Sequence, residues 1–259
     1  MDFFNYSNYK IILNKMKAIK EIYNFKSINN SIKNGYILRH DVDIDIEKAY
    51  ALSTIENDMN VTSTYFILVT SDLYNILSYK NRMLVRRMFL NGFEIGLHFD
   101  PSIYDDMSLS QLEKQMKKEC SIIEDIIGEK VSSISLHNPS IHNKYPIFKE
   151  YKNTYSKEFF NPELYLSDSC KDFRGKNVFE FIKKGENNLL QVLFHPIHFS
   201  ENEETYVESF NKIIELKINN FDRYYTRINK TYKNEIKENT LLSCFKDYIK
   251  ENNKHEEKI

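Results

Sequence analysis

The chain has 259 residues, of which 41% are hydrophobic, 14% aromatic and 28% charged, values that suit a globular chain with a sizeable core and exclude a disordered one. Lys and Arg total 36 against 37 Asp and Glu, and the resulting net charge of −1 argues against a large basic face for nucleic acid. No run of about 18 apolar residues reads as a membrane span. Cys120, Cys170 and Cys244 are too widely spaced for a disulfide framework or a CxxC metal site. The Met1-Asp2-Phe3 start lacks the basic stretch and apolar run of a secretory leader. The expectation is one large domain with a small appendage in a reducing cytoplasm.

Residues 7–24 read as a helix followed by a loop. A regular alternation starts at Gly35, where Gly35 to Asp43 reads as a strand ending in acids. A helix follows over 45–58, with Ala49, Leu52, Ile55 and Met59 along one face. Thr62 to Val69, rich in β-branched and aromatic residues, is the next strand. Residues 72–90 read as a helix stopped by Asn91-Gly92, and Phe93 to Phe99 as a third strand. The helix over 108–127 has the clearest bounds: Ser108 and Gln111 can form a capping box, Leu109, Leu112, Met116, Cys120, Ile123 and Ile127 make one apolar stripe, and Gly128 ends it. Val131 to His137 is a strand running into Asn138-Pro139. Short strands are expected at 153–156, 164–168 and 189–195, and outer helices at 203–219 and 238–250. Strands alternating with helices imply βαβ units and a parallel sheet. About seven such strands point to an open or closed barrel over 1–202, with a helical extension over 203–259 packed on the barrel or on a partner.

The polar residues fall in one place along this pattern. Asp41 and Asp43 end the first strand, His98 and Asp100 the third, His137 the strand after it, Asp168 the 164–168 strand, and His195 the last, with His198 just beyond. In a parallel barrel the strand C-termini converge on one face, so these ends deliver Asp and His to one mouth. Asp41 and Asp43, two apart in an extended strand, share a face. Carboxylates so placed raise one another's pKa unless a cation sits beside them, and a bound metal would relieve that, with one acid as ligand and the other as base. Read singly, each residue has a plainer role: Asp45 as a helix cap, His198 as packing behind the site, His142 and His255 as surface or core residues. The Lys runs at 114–118 and 183–184 read as solvated helix faces, Tyr224-Tyr225 as packing, and Cys170, without an adjacent base, as a poor nucleophile.

Leu38-Arg-His-Asp-Val-Asp43, Gly92-Phe-Glu-Ile-Gly-Leu-His98, Ser135-Leu-His-Asn-Pro-Ser140, Asp168-Ser169 and Leu193-Phe-His195 resemble the motifs of the polysaccharide deacetylase superfamily (NodB-homology, carbohydrate esterase 4-like). They are most similar to a divergent branch associated with bacterial surface-polysaccharide synthesis, over residues 35–200 and in the expected order. The resemblance implies an α/β fold, a distorted (β/α)7 barrel, and a divalent metal, most often Zn2+. It implies metal-assisted removal of an N- or O-acyl group from a sugar. Carried over by position, Asp41 is the base, Asp43 and His98 are metal ligands, His195 is the acid, and Asp168 orients its neighbours.

This chain departs from the pattern in two ways. Val42 separates acids that are adjacent in the family, so base and ligand can be exchanged between Asp41 and Asp43. Ser102 stands where the family has its second metal His, four residues after His98. His137 is the candidate third ligand, or alternatively only positions a base. The expected function is a metal-dependent hydrolase removing an acyl group, such as acetyl, from a sugar or polysaccharide precursor. The alternatives are a metal-dependent amidohydrolase on a small non-sugar amide, and an inactive barrel that binds a glycan or a partner. Neither the sugar nor the oligomeric state is legible.

Overall fold

The computed structural model describes residues 3–104 and 106–256, with side chains through Glu251. Met1 and Asp2, part of the leader reading, and the His255 side chain lie outside these. The residues divide into two compact units, 1–203 and 204–259.

Eight strands form one sheet in the first unit: β1 (Ile22–Tyr23), β2 (Gly35–Val42), β3 (Thr64–Ile67), β4 (Glu94–Phe99), β5 (Ser133–Leu136), β6 (Lys152–Asn153), β7 (Tyr165–Ser167) and β8 (Leu189–Phe194). The main path runs β6-β5-β4-β3-β2-β8-β7, with every pairing parallel. Seven strands thus curve into a barrel that stays open between β6 and β7. The connections carry α1 (Tyr6–Ile19), α2 (Ile46–Asp58), α3 (Tyr79–Leu90), α4 (Leu109–Ile127), the single turn α5 (Pro139–His142) and α6 (Val178–Lys183). Parallel pairing puts all strand C-termini on one side, as the α/β barrel expectation required.

Alternation along the strands sorts side chains between the helix layer and the barrel interior. Leu38, Val42, Tyr65, Ile67, Ile95 and Leu97 pack outward under the helices with Ala49, Val85, Met88 and Ile123, or with Tyr9, Leu13 and Met16 of α1. Every residue of β2 is buried, as a strand covered on both faces must be. The interior is partly polar: Arg39 lies over the Phe66 ring, 5.7 Å from its centroid, and bonds Asp41. Phe25, Ile37, Phe66 and Phe159 form a small apolar cluster there.

Most helix ends follow their local signals. Asp45 caps α2 by accepting the Glu47 amide at 2.7 Å, Ser108 and Gln111 form the capping box of α4, and Gly128 ends it with φ 78°. Three expectations need correction. The first helix ends at Ile19 rather than near 24, because Lys20 turns extended and Ile22–Tyr23 pairs with the start of β2. The helix expected from 72 starts at Tyr79: Ser71 and Asn75 accept the Leu73 and Leu77 amides and hold the chain in turns until Ser78 caps the helix. The strand expected at 153–156 is only Lys152–Asn153, and α6 and β1 were not anticipated.

The second unit is helical: α7 (Tyr206–Ile228), α8 (Lys230–Ile236) and α9 (Leu241–Glu256). The first of these runs on past the expected end at 219, and α8 was not foreseen. Within the unit, Asp222 accepts the Leu241 amide at 3.0 Å and the Tyr232 hydroxyl at 2.8 Å. Tyr225 stacks on Phe221 at 4.6 Å between centroids, the packing role expected of it, whereas Tyr224 is 51% exposed. Among the described residues no helix is long and apolar enough to cross a membrane.

Candidate active site

Asp41 occupies the penultimate position of β2 and faces the barrel interior, 3% exposed. Arg39, two residues earlier on the same face, donates from Nη2 to Asp41 Oδ2 at 3.0 Å, and the Ser135 hydroxyl of β5 approaches the same oxygen at 3.2 Å. Asp41 Oδ1 has no hydrogen bond among the described residues. Asp43 follows directly after β2 and enters a group of imidazoles. His98 Nε2 lies 3.1 Å and His137 Nδ1 3.5 Å from its Oδ1, and His195 Nε2 lies 3.9 Å from its Oδ2.

His98 comes from β4, where Gly96 two residues earlier lets the Phe66 ring lie against the backbone. Its Nδ1 lies 3.9 Å from Asp41 Oδ2. His137 sits one residue past β5, fixed by its amide donating to Phe99 O at 2.8 Å. Its Nδ1 is 3.2 Å from His98 Nε2, and its Nε2 meets the Asn138 side-chain amide at 2.8 Å. The Asn138 atom at that contact is its side-chain nitrogen, Nδ2, and the ring tautomer decides which His137 nitrogen carries the proton.

Asp43 Oδ1, His98 Nε2 and His137 Nδ1 therefore form a triangle with edges of 3.1, 3.2 and 3.5 Å. A tetrahedral metal bound by nitrogen and oxygen at ~2.0–2.1 Å needs donors about 3.3 Å apart. The donor set is therefore of the right kind and spacing to hold a divalent ion. Asp43 Oδ1 is also buried without a hydrogen bond, a lone-pair donor lacking any proton to accept. Burial alone would raise the Asp43 carboxyl, but the imidazoles of His137, His98 and His195 around it hold it well below the carboxylate range. Ser102 takes no part: its amide and hydroxyl both donate to Asp100 Oδ1, at 2.8 and 2.5 Å.

Asp168, at the end of β7, is fully buried and is shared by two imidazoles. His195 Nδ1 lies 2.6 Å from Oδ1, His198 Nδ1 lies 2.7 Å from Oδ2, and the His195 amide donates to both oxygens at 3.1 and 3.0 Å. Burial would raise this carboxyl; the two histidines hold it down instead. Burial would lower His195, but the Asp168 charge and hydrogen bond push it up to about 9. Asp168 thus keeps a proton on Nδ1 and leaves Nε2 directed toward Asp43. The three side chains are close enough to share a metal, yet each nitrogen bonds a different oxygen at hydrogen-bond length, which is the pattern of a hydrogen-bonded dyad pair. His198 corrects an expectation: besides packing edge-on against Phe4 at 5.7 Å, it bonds Asp168 directly.

Asp41, Asp43, His98, His137 and His195 line one cleft of about 380 Å³. Tyr145, Tyr155, Phe160 and Tyr165 form part of its wall, with successive centroids 5.9, 5.3 and 5.1 Å apart. Cys170 is exposed and does not line the cleft, and His142 is exposed at the end of α5. The sequence reading overlooked Arg39, Ser135 and Tyr155, whose hydroxyl lies 3.4 Å from Arg39 Nη2. Arg39 had a usable signal, since it shares its strand face with Asp41.

No protein-family model matches the sequence, and no curated protein matches it. Solved structures are similar to it. A CE4-family pseudoenzyme from Bacillus anthracis superposes with a TM-score of 0.44 at 16% identity, covering 71% of this chain and 62% of that one. The chitin deacetylase of the fungal pathogen Colletotrichum lindemuthianum gives 0.45 at 16% identity, over 70% of this chain and 81% of that chain. The peptidoglycan deacetylase PdaC of Bacillus subtilis gives 0.44 at 15% identity, over 77% of this chain and 98% of that chain. The chain spans less than two thirds of the pseudoenzyme's length.

Proposed function

We propose that this chain is a metal-dependent deacylase that hydrolyses an N- or O-acyl group, such as acetyl, from a sugar or polysaccharide precursor. The observation that carries the reading is the Asp43–His98–His137 triangle, set beside a carboxylate and an imidazole able to move protons. Asp43, His98 and His137 would hold the ion, with zinc favoured by two imidazoles and one carboxylate. Bound there, a divalent ion supplies Lewis-acid polarisation of the acyl carbonyl and acidifies water.

The chain's own residues divide the remaining work. Asp41 is the base, with Oδ1 free to take a proton from the attacking water while Arg39 and Ser135 hold Oδ2. Asp41 Oδ2 also lies 3.9 Å from His98 Nδ1, beyond hydrogen-bond reach, so it acts on that ring only through its charge. Asp43 is the better ligand of the two acids, because its oxygen has two histidine nitrogens beside it and no hydrogen bond. His195 donates from Nε2 to the departing amine or hydroxyl, and Asp168 retains the proton on Nδ1. The tyrosine-rich wall offers ring faces to a sugar.

Elemental analysis of purified protein, joined to hydrolysis of a panel of acetylated sugars and small cyclic amides, tests the proposal. Wild type is expected to carry about one zinc-like ion per chain, with less in Asp43→Ala, His98→Ala and His137→Ala. Asp41→Asn is expected to keep the ion and lose ~10²–10⁴-fold in turnover. Metal retained in full by His137→Ala moves that residue off the ligand set. Turnover of cyclic amides alone replaces the sugar with another amide. A chain that binds no divalent ion when supplied with one is not this hydrolase, and glycan binding without metal would make it a binding barrel.

A further inference from the structure

Two cationic side chains line the cleft without belonging to the metal triangle or the proton-transfer groups: Arg174 and Lys176, on the segment between β7 and α6. The Arg174 guanidinium has no hydrogen bond or ion pair among the described residues; only its backbone amide is engaged, donating to Asp172 Oδ1 at 2.9 Å. Its backbone is left-handed, with φ 52°. That conformation costs a non-glycine residue about 1 kcal/mol. Arg174 stands where glycine would sit without strain, and its exposed side chain has no partner among the described residues.

Lys176 is anchored differently. Its ammonium donates to Pro162 O at 3.0 Å and Tyr165 O at 2.9 Å. Carbonyls fix the position of a cation without cancelling its charge. The carboxylates lining the cleft are Asp41 and Asp43. The first is matched by Arg39 and the second faces His98, His137 and His195, so neither neutralises Arg174 or Lys176. Arg174 and Lys176 are both exposed at the cleft, so they are two solvated positive charges that no cleft carboxylate neutralises and that an entering anion can meet. The aromatic run of Tyr145, Tyr155, Phe160 and Tyr165 in the same cleft suits a sugar ring, so the anion belongs on a sugar-bearing molecule.

We propose that the substrate is a phosphorylated acyl sugar, a glycosyl phosphate or diphosphate, whose phosphate oxygens are bound by Arg174 together with Lys176. This rests on the deacylase reading of the site and adds the substrate class. A guanidinium fork matches phosphate oxygens in pairs, and two cations lining one cleft match a phosphate or diphosphate better than a single sugar carboxylate.

Calorimetric titration of the zinc-supplemented full chain tests this apart from turnover. The probes are N-acetylglucosamine, its 1-phosphate, and its uridine-diphosphate and polyprenyl-diphosphate esters. The variants are Arg174→Gly, which suits the left-handed backbone, Lys176→Met, and Lys149→Ala, a control at an exposed position outside the cleft. The 1-phosphate is expected to bind wild type at least about tenfold more tightly than the neutral sugar, and Arg174→Gly to abolish about 10–100-fold of the phosphorylated affinity while leaving the neutral sugar unchanged. Lys176→Met is expected to weaken only the phosphorylated probes, and Lys149→Ala none. A tighter uridine-diphosphate ester marks a soluble donor and a tighter polyprenyl ester a lipid carrier; either supports the proposal. Equal binding of neutral and phosphorylated sugars overturns it, as does a phosphate preference that survives both Arg174→Gly and Lys176→Met, since the metal alone would then be the anion's partner. Should no acyl sugar be hydrolysed, the deacylase reading fails while the binding preference still stands or falls on these titrations.

Discussion

Asp168 governs two side chains at once. Both of its oxygens accept from the His195 backbone, and each bonds one imidazole, so the carboxylate is saturated although fully buried. The consequence for His195 is a pKa of about 9, well above its ordinary value of 6.5. A group whose folded pKa is raised lends stability that is complete below its unfolded pKa and fades as pH rises through the folded one. Asp168→Asn is therefore expected to destabilise the metal-free protein by about 3–5 kcal/mol at pH 6. The gap to wild type should narrow as pH rises from about 6.5 to about 9, the range in which the native His195 keeps a proton that the unfolded chain has lost. Urea unfolding of the two proteins between pH 5 and 10 reads this directly, and a gap that stays constant from pH 6 to 9 would show that Asp168 does not hold the His195 proton. The strand-end positions of Asp168 and His195 were legible in sequence. The second imidazole was not, because His198 lies beyond the strand, where no periodicity says which way a side chain turns.

Strand β2 carries the site on one face and a different polar network on the other. Arg39 and Asp41 face the interior, while His40 between them bonds Glu56 of α2 at 2.7 Å and the Phe194 carbonyl of β8 at 3.1 Å. Glu56 also accepts from Ser63 at 2.7 Å and Tyr65 at 3.0 Å, and from the Tyr9 hydroxyl of α1. This buried cluster ties α1, α2, β2 and β3 together behind the site, and strict alternation is what keeps His40 out of the cleft. Strand β4 depends on a missing side chain. A Cβ on Gly96 would lie 2.5 Å from two atoms of the Phe66 ring and 2.9 Å from Ser133 Oγ. Gly96→Ala must displace Phe66 or β4 itself and is expected to cost about 1–3 kcal/mol. Because His98 is two residues along, metal affinity should fall with it. Thermal melting and zinc titration of this variant check both, and unchanged values would mean that Phe66 moves freely.

At the scale of the molecule, the three buried apolar clusters and every cleft residue lie within 1–203. A unit that owns its core and its site should fold without the rest. Residues 1–203 expressed alone are expected to melt cooperatively and to hold the same metal complement as the full chain. A truncated chain that aggregates or fails to bind zinc would assign 204–259 a part in holding the barrel. Two of the three helices of that second unit, α7 and α9, were expected in kind; the Thr205–Glu208 capping box that starts α7 is a local signal the sequence reading did not use.

Sequence by itself determined what depends on neighbours along the chain. Apolar runs rich in β-branched and aromatic residues placed the strands, apolar stripes and caps placed α2 and α4, and Asp or His at successive strand ends marked one face of a parallel sheet. Tertiary structure decided what depends on register between strands far apart in sequence. Pairing of His98 with Ser135 across β4 and β5 brings His137 beside His98, which makes a third donor possible where Ser102 offers none. The insertion of β8 between β2 and β7 sets His195 between Asp168 and Asp43. That Arg174 has no carboxylate partner among the described residues likewise emerges only in three dimensions. Local patterns specify which face a side chain takes, whereas the distances that make ligands, bases and anion sites come from strand order and register, which no short window of sequence contains.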